Sequence, residues 1–290
     1  MNTYKSGVNK IILALTSVGI VILLMFPVSL SASHFRYGTM SWVLTGNDNA
    51  THTEIRLYVT TGWRTAYGNP FDTVGETATI DPSTSSNYID INWGDGQTTS
   101  GVTIRTTSID TAAGGSTAEI GTLSGGVWTP GLTHSYSDNG TYIVSWDSQT
   151  RIAGIVNIDD YSKWRNETKV TIGGIHAGNV SPVSTMPPII QVQDNTTDNF
   201  TFQVSATDAN SGDNLHYRWG TYKEFVDNTS DTIFYPPTGM SLSTTGYIQW
   251  DVRDSALADN APVNSSAVSN SGIADAMWSA FIMVEDNGSS

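Results

Sequence analysis

Five oxygen-bearing side chains toward the C-terminal end carry the sharpest chemical signal in this chain. Asp208, Asn210 and Asp213 share one polar stretch, TDANSGDN, and Glu285 and Asp286 close the last apolar run, FIMVED. Calcium takes about six to eight oxygens from carboxylates, amides and carbonyls, and these residues supply that kind of ligand. Extracellular modules hold it at roughly 10⁻⁴–10⁻³ M. The competing reading is an Asx-rich turn whose side chains cap backbone amides. From sequence alone both stand.

A second stretch, INWGDGQTTS from Ile91 to Ser100, admits three chemistries. Trp93-Gly94-Asp95-Gly96 suits a strand-to-strand turn needing positive φ, a cation loop built on Asp95, or a phosphate cradle. A phosphate cradle opens a helix, and no helical pattern follows. The turn is the reading adopted.

Other side chains point to surface chemistry or exclude it. Trp63, Tyr67, Trp128 and Trp219 are aromatics whose rings would stack on sugars if exposed, although Trp more often fills a sandwich core. Asn-x-Ser/Thr occurs nine times. Asn195 and Asn199, beside a proline-rich stretch, and Asn228 are the accessible glycan acceptors expected in an exported chain. His34, His52, His134, His176 and His216 are scattered without zinc spacing, and no Ser-His-Asp motif stands out.

Compartment follows from the first residues. Lys5 and Lys10 precede an apolar block from Ile11 to Leu30, then Ser31, Ala32 and Ser33. A basic start, an apolar middle and small residues at the exit form a secretory leader over residues 1–32, cleaved near Ala32 or Ser33. The block exceeds the usual ~7–15 residues of a leader core, so an uncleaved N-terminal anchor helix is the alternative. The chain carries 13 basic and 27 acidic residues, a formal net charge of −14. Removing the leader makes it more acidic still. Such a surface repels nucleic acid and anionic lipid and attracts divalent cations. The membrane enters only through an uncleaved leader. The chain has no cysteine, which for an exported protein suggests a prokaryotic or archaeal surface.

The elements that must position these residues are strands. Short runs rich in Val, Ile, Thr, Tyr and Trp alternate with turn residues: EIRLYVT (54–60), YIDINW (88–93), TYIVSW (141–146), TKVTIG (168–173), FTFQVSA (200–206), GYIQWDV (246–252) and WSAFIMVED (278–286). The fold class expected is all-β, with two immunoglobulin-like β-sandwich domains in tandem after the leader. Pro182, Pro187 and Pro188 mark a short, stiff linker over 181–190, between domains at 33–180 and 191–290.

In the stretch TPGLTHSYSDNGTYIVSW (129–146), Tyr142, Val144 and Trp146 fall on one strand face, taken as the core face. The spacing Asp138-x-Gly140-x-Tyr142-x-Val144 parallels the tyrosine corner of immunoglobulin-like sandwiches. Together with Trp93-Gly94-Asp95-Gly96 and His134-Ser135-Tyr136, it resembles the PKD (polycystic kidney disease) domain. The stretch between Gly96 and Thr133 is long for that family, which implies an inserted hairpin or a divergent relative. SHFRYGTMSW (33–42), WRNETKVTIG (164–173) and SPVSTMPPII (181–190) resemble a recurring N-terminal module of large surface proteins.

The second half resembles the cadherin-like, immunoglobulin-type domains of surface proteins. Ala206, Asp208, Gly212, Asp213, Leu215 and Tyr217 carry its first element, and Pro237, Gly239, Met240 and Leu242 its second. Gly246, Ile248 and Trp250 follow, then Ile282, Val284 and Asp286. The resemblance implies calcium at the acidic cluster, although not every member binds it.

The function expected is a non-catalytic, secreted or cell-surface adhesion module, part of a larger envelope protein, whose partners are surface proteins or glycans. The alternative is a carbohydrate-binding accessory region of a secreted hydrolase.

Overall fold

The computed structural model describes residues 35–49, 51–67, 70–80, 90–148, 151–152, 155–158, 163–187, 189–190, 192, 199–226, 230–234, 236–252 and 277–286. The expected leader, and with it His34, lies outside them. Among the described residues no helix is long and apolar enough to cross a membrane.

Eleven strands build the first half: β1 (Phe35–Leu44), β2 (Thr53–Arg64), β3 (Thr77–Ile80), β4 (Ile91–Asn92), β5 (Thr98–Thr99) and β6 (Val102–Asp110). They continue with β7 (Gly115–Ser124), β8 (Val127–Pro130), β9 (Leu132–Tyr136), β10 (Gly140–Ser148) and β11 (Trp164–Ile172). Period-2 alternation decides which way each faces. On β2, Ile55, Leu57 and Val59 point inward and are fully buried, while Arg56 and Tyr58 point out. One sheet runs β1-β2-β7-β6-β3, with β8 on β7 and β9 on β2; the other runs β11-β10-β4-β5. The long stretch between Gly96 and Thr133 forms β5 to β8 and the start of β9.

The sheets close over an aromatic core in which Trp42, Trp93, Trp146 and Trp164 are fully buried. Phe35 stacks on Trp164 with ring centroids 3.8 Å apart, and Trp146 meets the same indole edge-on at 5.4 Å. Gly131 lets one run of chain switch from pairing β7 as β8 to pairing β2 as β9. Its φ is +79°, and a Cβ there would sit 2.8 Å from the Leu57 carbonyl oxygen.

The second half is built from shorter strands: β12 (Val183–Ser184), β13 (Phe200–Gln203), β14 (Ala206–Thr207), β15 (Leu215–Trp219), β16 (Met240–Leu242), β17 (Tyr247–Trp250) and β18 (Ile282–Asp286). A five-residue helix α1 (Tyr222–Val226) follows β15. The pairings β12-β14, β13-β17-β16 and β15-β18 make three small sheets. They enclose Val204, Tyr217 and Ile248, with Trp250 and Val252 beside them. The described chain is thus an all-β sandwich architecture.

A further apolar cluster joins the halves. Ile155 and Ile158 pack with Phe225, Val226 and Phe234. Burying such side chains stabilises by ~1.5–3 kcal/mol each. Arg151, only 3% exposed, lies 3.9 Å over the Phe225 ring and donates to the carbonyls of Lys163 and Phe225. Burial brings its pKa down to about 9. Asn157 exchanges two hydrogen bonds with Ser279, at 2.7 and 3.0 Å. The proline-bearing connection is itself tied down. Ser181 bonds Trp42 in both directions, and Val183–Ser184 pairs with Ala206–Thr207.

Candidate cation site at the junction of the two halves

Asp208 and Asp213 begin and end a tight turn after β14, and Asp286 ends β18. Gly212 takes φ +101° in that turn. One carboxylate oxygen from each of the three aspartates lies within 4.8 Å of the others. Asp286 is buried, and Asp208 and Asp213 are half-buried. Asp208 Oδ1 accepts the Asn210 N–H at 2.7 Å, which is the Asx-turn contact. Its Oδ2 is shielded from solvent and accepts no hydrogen bond. Burial first, and then the charges of Asp286 and Asp213, raise the Asp208 pKa above the ordinary carboxylate range, against the opposing Asn210 N–H. Three convergent carboxylates, one with an orphaned buried oxygen, form a donor set that suits a hard divalent cation.

The other two expected ligands are turned elsewhere. Asn210 bonds the connection between the halves: its Oδ1 accepts from Val180 N–H and its Nδ2 donates to the Gly178 carbonyl, both at 3.0 Å. Glu285 lies on the opposite strand face from Asp286 and is held by Arg218 at 2.8 Å, so it stands outside the cluster. Strand alternation accounts for this, because neighbouring residues cannot point the same way. A residue that the sequence did not single out as a ligand, Asn179, donates to Asp286 at 3.3 Å. The contact spans 107 residues of chain, and no local pattern signals it.

The WGDG stretch is a turn. Trp93 N–H donates to Gln97 O at 3.0 Å, Asp95 Oδ1 accepts from Gln97 N–H at 2.9 Å, and Gly94 and Gly96 take positive φ. A Cβ on Gly94 would lie 2.8 Å from the Ile143 backbone. Asp95 Oδ2 meets His134 Nε2 at 2.8 Å, and the His134 ring stacks on Trp93 at 4.4 Å. The interactions with Gln97 and His134 hold the Asp95 pKa below its usual value, against burial, the largest influence, which pushes it up.

The four aromatics offered for sugar stacking separate. Trp63 is a correction: it is 4% exposed, wedged among Phe35, Phe71 and Trp164, because the inward alternation of β2 carries it into the core. Tyr67 ends a short 3-10 turn, Thr65–Tyr67. Trp128 is half-buried on the outer face of β8, where its indole N–H donates to Glu119 at 2.6 Å. Trp219 ends β15, in the other half and also half-buried. Of the expected glycan acceptors, Asn199 is exposed, and Asn195 and Asn228 lie outside the described residues. Two further sequon asparagines, Asn166 and Asn179, are buried in the fold.

An all-β sandwich chain with a carboxylate cluster where its halves meet is the class that this geometry defines. Residues 36–173, the span of β1 to β11, match the family model described as integrin beta-like protein A-E, N-terminal. The chain is similar to three proteins of Dictyostelium discoideum. It is 32% identical to integrin beta-like protein B over 77% of this chain and 11% of that protein. Integrin beta-like protein A is 26% identical over 81% of this chain and 12% of its own length. Integrin beta-like protein C is 26% identical over 74% and 10%. The similarity covers more of the chain than 36–173, so it extends beyond the first half. The chain spans about a tenth of the length of these relatives. No solved structure matches. The expectation of a prokaryotic or archaeal surface finds no counterpart among these three relatives, and the PKD-like and cadherin-like elements remain likenesses of motif.

Proposed function

We propose that this chain is a non-catalytic adhesion module of the integrin beta-like kind, exposed at the cell surface or secreted, and stabilised by calcium between its halves. The match over residues 36–173 carries the adhesion reading. The PKD-like reading of the same region draws support from the tyrosine corner, in which Tyr142 OH donates to Asp138 O at 2.9 Å.

Calcium rests on Asp208, Asp213 and Asp286. The aspartates at 208 and 213 belong to a loop that Asn210 ties to the connection, and Asp286 is bonded to Asn179 of that same connection. A cation there neutralises carboxylates that burial and mutual repulsion now disfavour. It also braces the second half against the connection. Asn199 is the exposed glycan acceptor of this reading.

The test is adhesion of beads coated with the full chain to cells of its source organism, in calcium and in chelator. Calcium-dependent capture is expected. Equal capture in chelator would remove the calcium arm, and no capture in either condition would remove the adhesion reading.

A further inference from the structure

A cleft of about 630 Å³ opens between the halves, with Tyr37–Met40 of β1 on one wall and Ile282–Val284 of β18 among the residues of the other half that line it. Both strands turn an unpaired backbone edge toward it. On β1, the Trp42 N–H donates to Ser181 Oγ at 2.7 Å and its carbonyl accepts from Ser181 N–H at 3.2 Å, so Trp42 faces away from β2. Thr45 N–H, three residues on, donates to Glu54 O at 3.1 Å and continues the ladder with the strand partner. Antiparallel alternation therefore sets the N–H and C=O of Gly38 and Met40 on the open side with Trp42.

The same reasoning applies to β18. Phe281 O accepts from Gly220 N–H at 2.9 Å, which turns Phe281 and Met283 toward β15 and the backbone groups of Ile282 and Val284 away from it. Among the described residues no hydrogen bond reaches these open groups of Gly38, Met40, Ile282 or Val284.

A further observation points to an absent partner. Asn166 lines the cleft beneath Gly38, is only 5% exposed, and its Nδ2 has no acceptor. A buried amide donor left unpaired is costly, and this one lies directly against Gly38 of the open edge. The lining also holds five carboxylates against three cations. Arg218 is held by Glu224 and Glu285, Lys223 stands 3.9 Å from Asp231, and Glu167 is held by Arg165 from outside the lining, so a small net excess of acid remains. Rows of open N–H and C=O groups recognise peptide backbone, apolar side chains such as Met40 and Ile282 accept alternate side chains, and the excess of acid favours a basic ligand.

We infer that this cleft receives an extended, basic segment of a partner protein, which adds as a strand to the open edge of β1. The inference rests on the adhesion reading only in taking the partner to be a protein, and its assay uses no cells, so the two fail separately.

The probe is a fluorescein-labelled octapeptide of alternating Lys and Val, titrated into the full chain and followed by anisotropy and amide hydrogen exchange. Binding is expected to slow exchange at Gly38 and Met40. N-methylation of alternate probe amides should weaken it roughly tenfold or more, the loss of a few net hydrogen bonds. Replacing Lys by Glu should weaken it further. Met40→Pro deletes an N–H that contributes nothing to the β1-β2 ladder, and should abolish binding with the melting temperature little changed. Because a proline also constrains the β1 backbone, the exchange pattern of the unaltered chain decides. Equal binding of the N-methylated probe, protection elsewhere, or no binding at millimolar probe would overturn the inference. Protection of the same amides by raised protein concentration alone would also overturn it, in favour of a second copy of the chain.

Discussion

The two halves are stabilised by different means. The first buries five tryptophans between two sheets whose long strands run nine to twelve residues. The second divides its apolar side chains among smaller clusters and relies on Arg218 clamped by Glu224 and Glu285, and on the loop that Asn210 ties back. Ladder length and core size go together, because a long alternating strand presents more inward side chains to one continuous core. The first half is therefore expected to be the rigid scaffold, and the second to depend on its neighbour and on charge.

Removing the centre of the larger core is the most damaging way to break that contrast. Trp146→Ala empties a fully buried indole site and should cost ~3–5 kcal/mol, read by urea denaturation. The indole N–H of Trp146 has no acceptor, so Trp146→Phe, which removes that orphan and keeps most of the ring, should cost far less. If both cost the same, the N–H has a role that the geometry does not show.

Phe225→Ala tests whether the second half leans on the first. The ring packs between Arg151, Phe234 and Phe281 at the seam. Its loss should cost about 3 kcal/mol and split one thermal transition into two, the second half melting first. A single transition, merely shifted, would mean that the remaining seam contacts still couple the halves.

Tyr142→Phe is a smaller probe of the scaffold. It removes the hydroxyl that donates to Asp138 O and leaves the ring stacked on Tyr136 at 4.2 Å. A loss of about 1 kcal/mol in denaturant is expected. The Tyr142 pKa is raised by burial and by Asp138 and Asp95, so its ionisation adds no pH dependence near neutrality.

What was legible beforehand divides along the same line. The WGDG turn, the tyrosine corner and the inward face of β10 rest on residues a few positions apart, where glycine φ and strand period dictate the outcome. The place of Trp63 is not legible in sequence, because an aromatic on a strand declares its face only when the register is known; it aligns with the buried Ser116 of β7 and turns inward. Asp208 and Asp213 were legible as a loop pair, and Asp286 as a strand end. The partner choice of Glu285 was not, since it depends on Arg218 across the β15-β18 ladder. Nor was the seam, whose contacts join Ile155 to Met277 and Asn157 to Ser279 over more than a hundred residues. Such pairings are selected by global packing, and no local propensity announces them.

The smallest expected effect is the most informative about the junction. Burial and the charges of Asp286 and Asp213 raise the folded pKa of Asp208 above its unfolded value. Between those two pKa values the folded metal-free chain binds more protons than the unfolded one. This group's contribution to stability therefore grows as pH falls through the folded pKa and is lost as pH rises. Asp208→Asn removes the repulsion at neutral pH and should raise metal-free stability by no more than about 1 kcal/mol after solvent screening. The same variant removes a calcium ligand, so the rise in melting temperature that calcium gives the unaltered chain should disappear. Opposite signs in chelator and in calcium separate a cation site from a capped turn. A turn held only by the Asn210 N–H contact would be left unchanged or weakened by the substitution in both buffers.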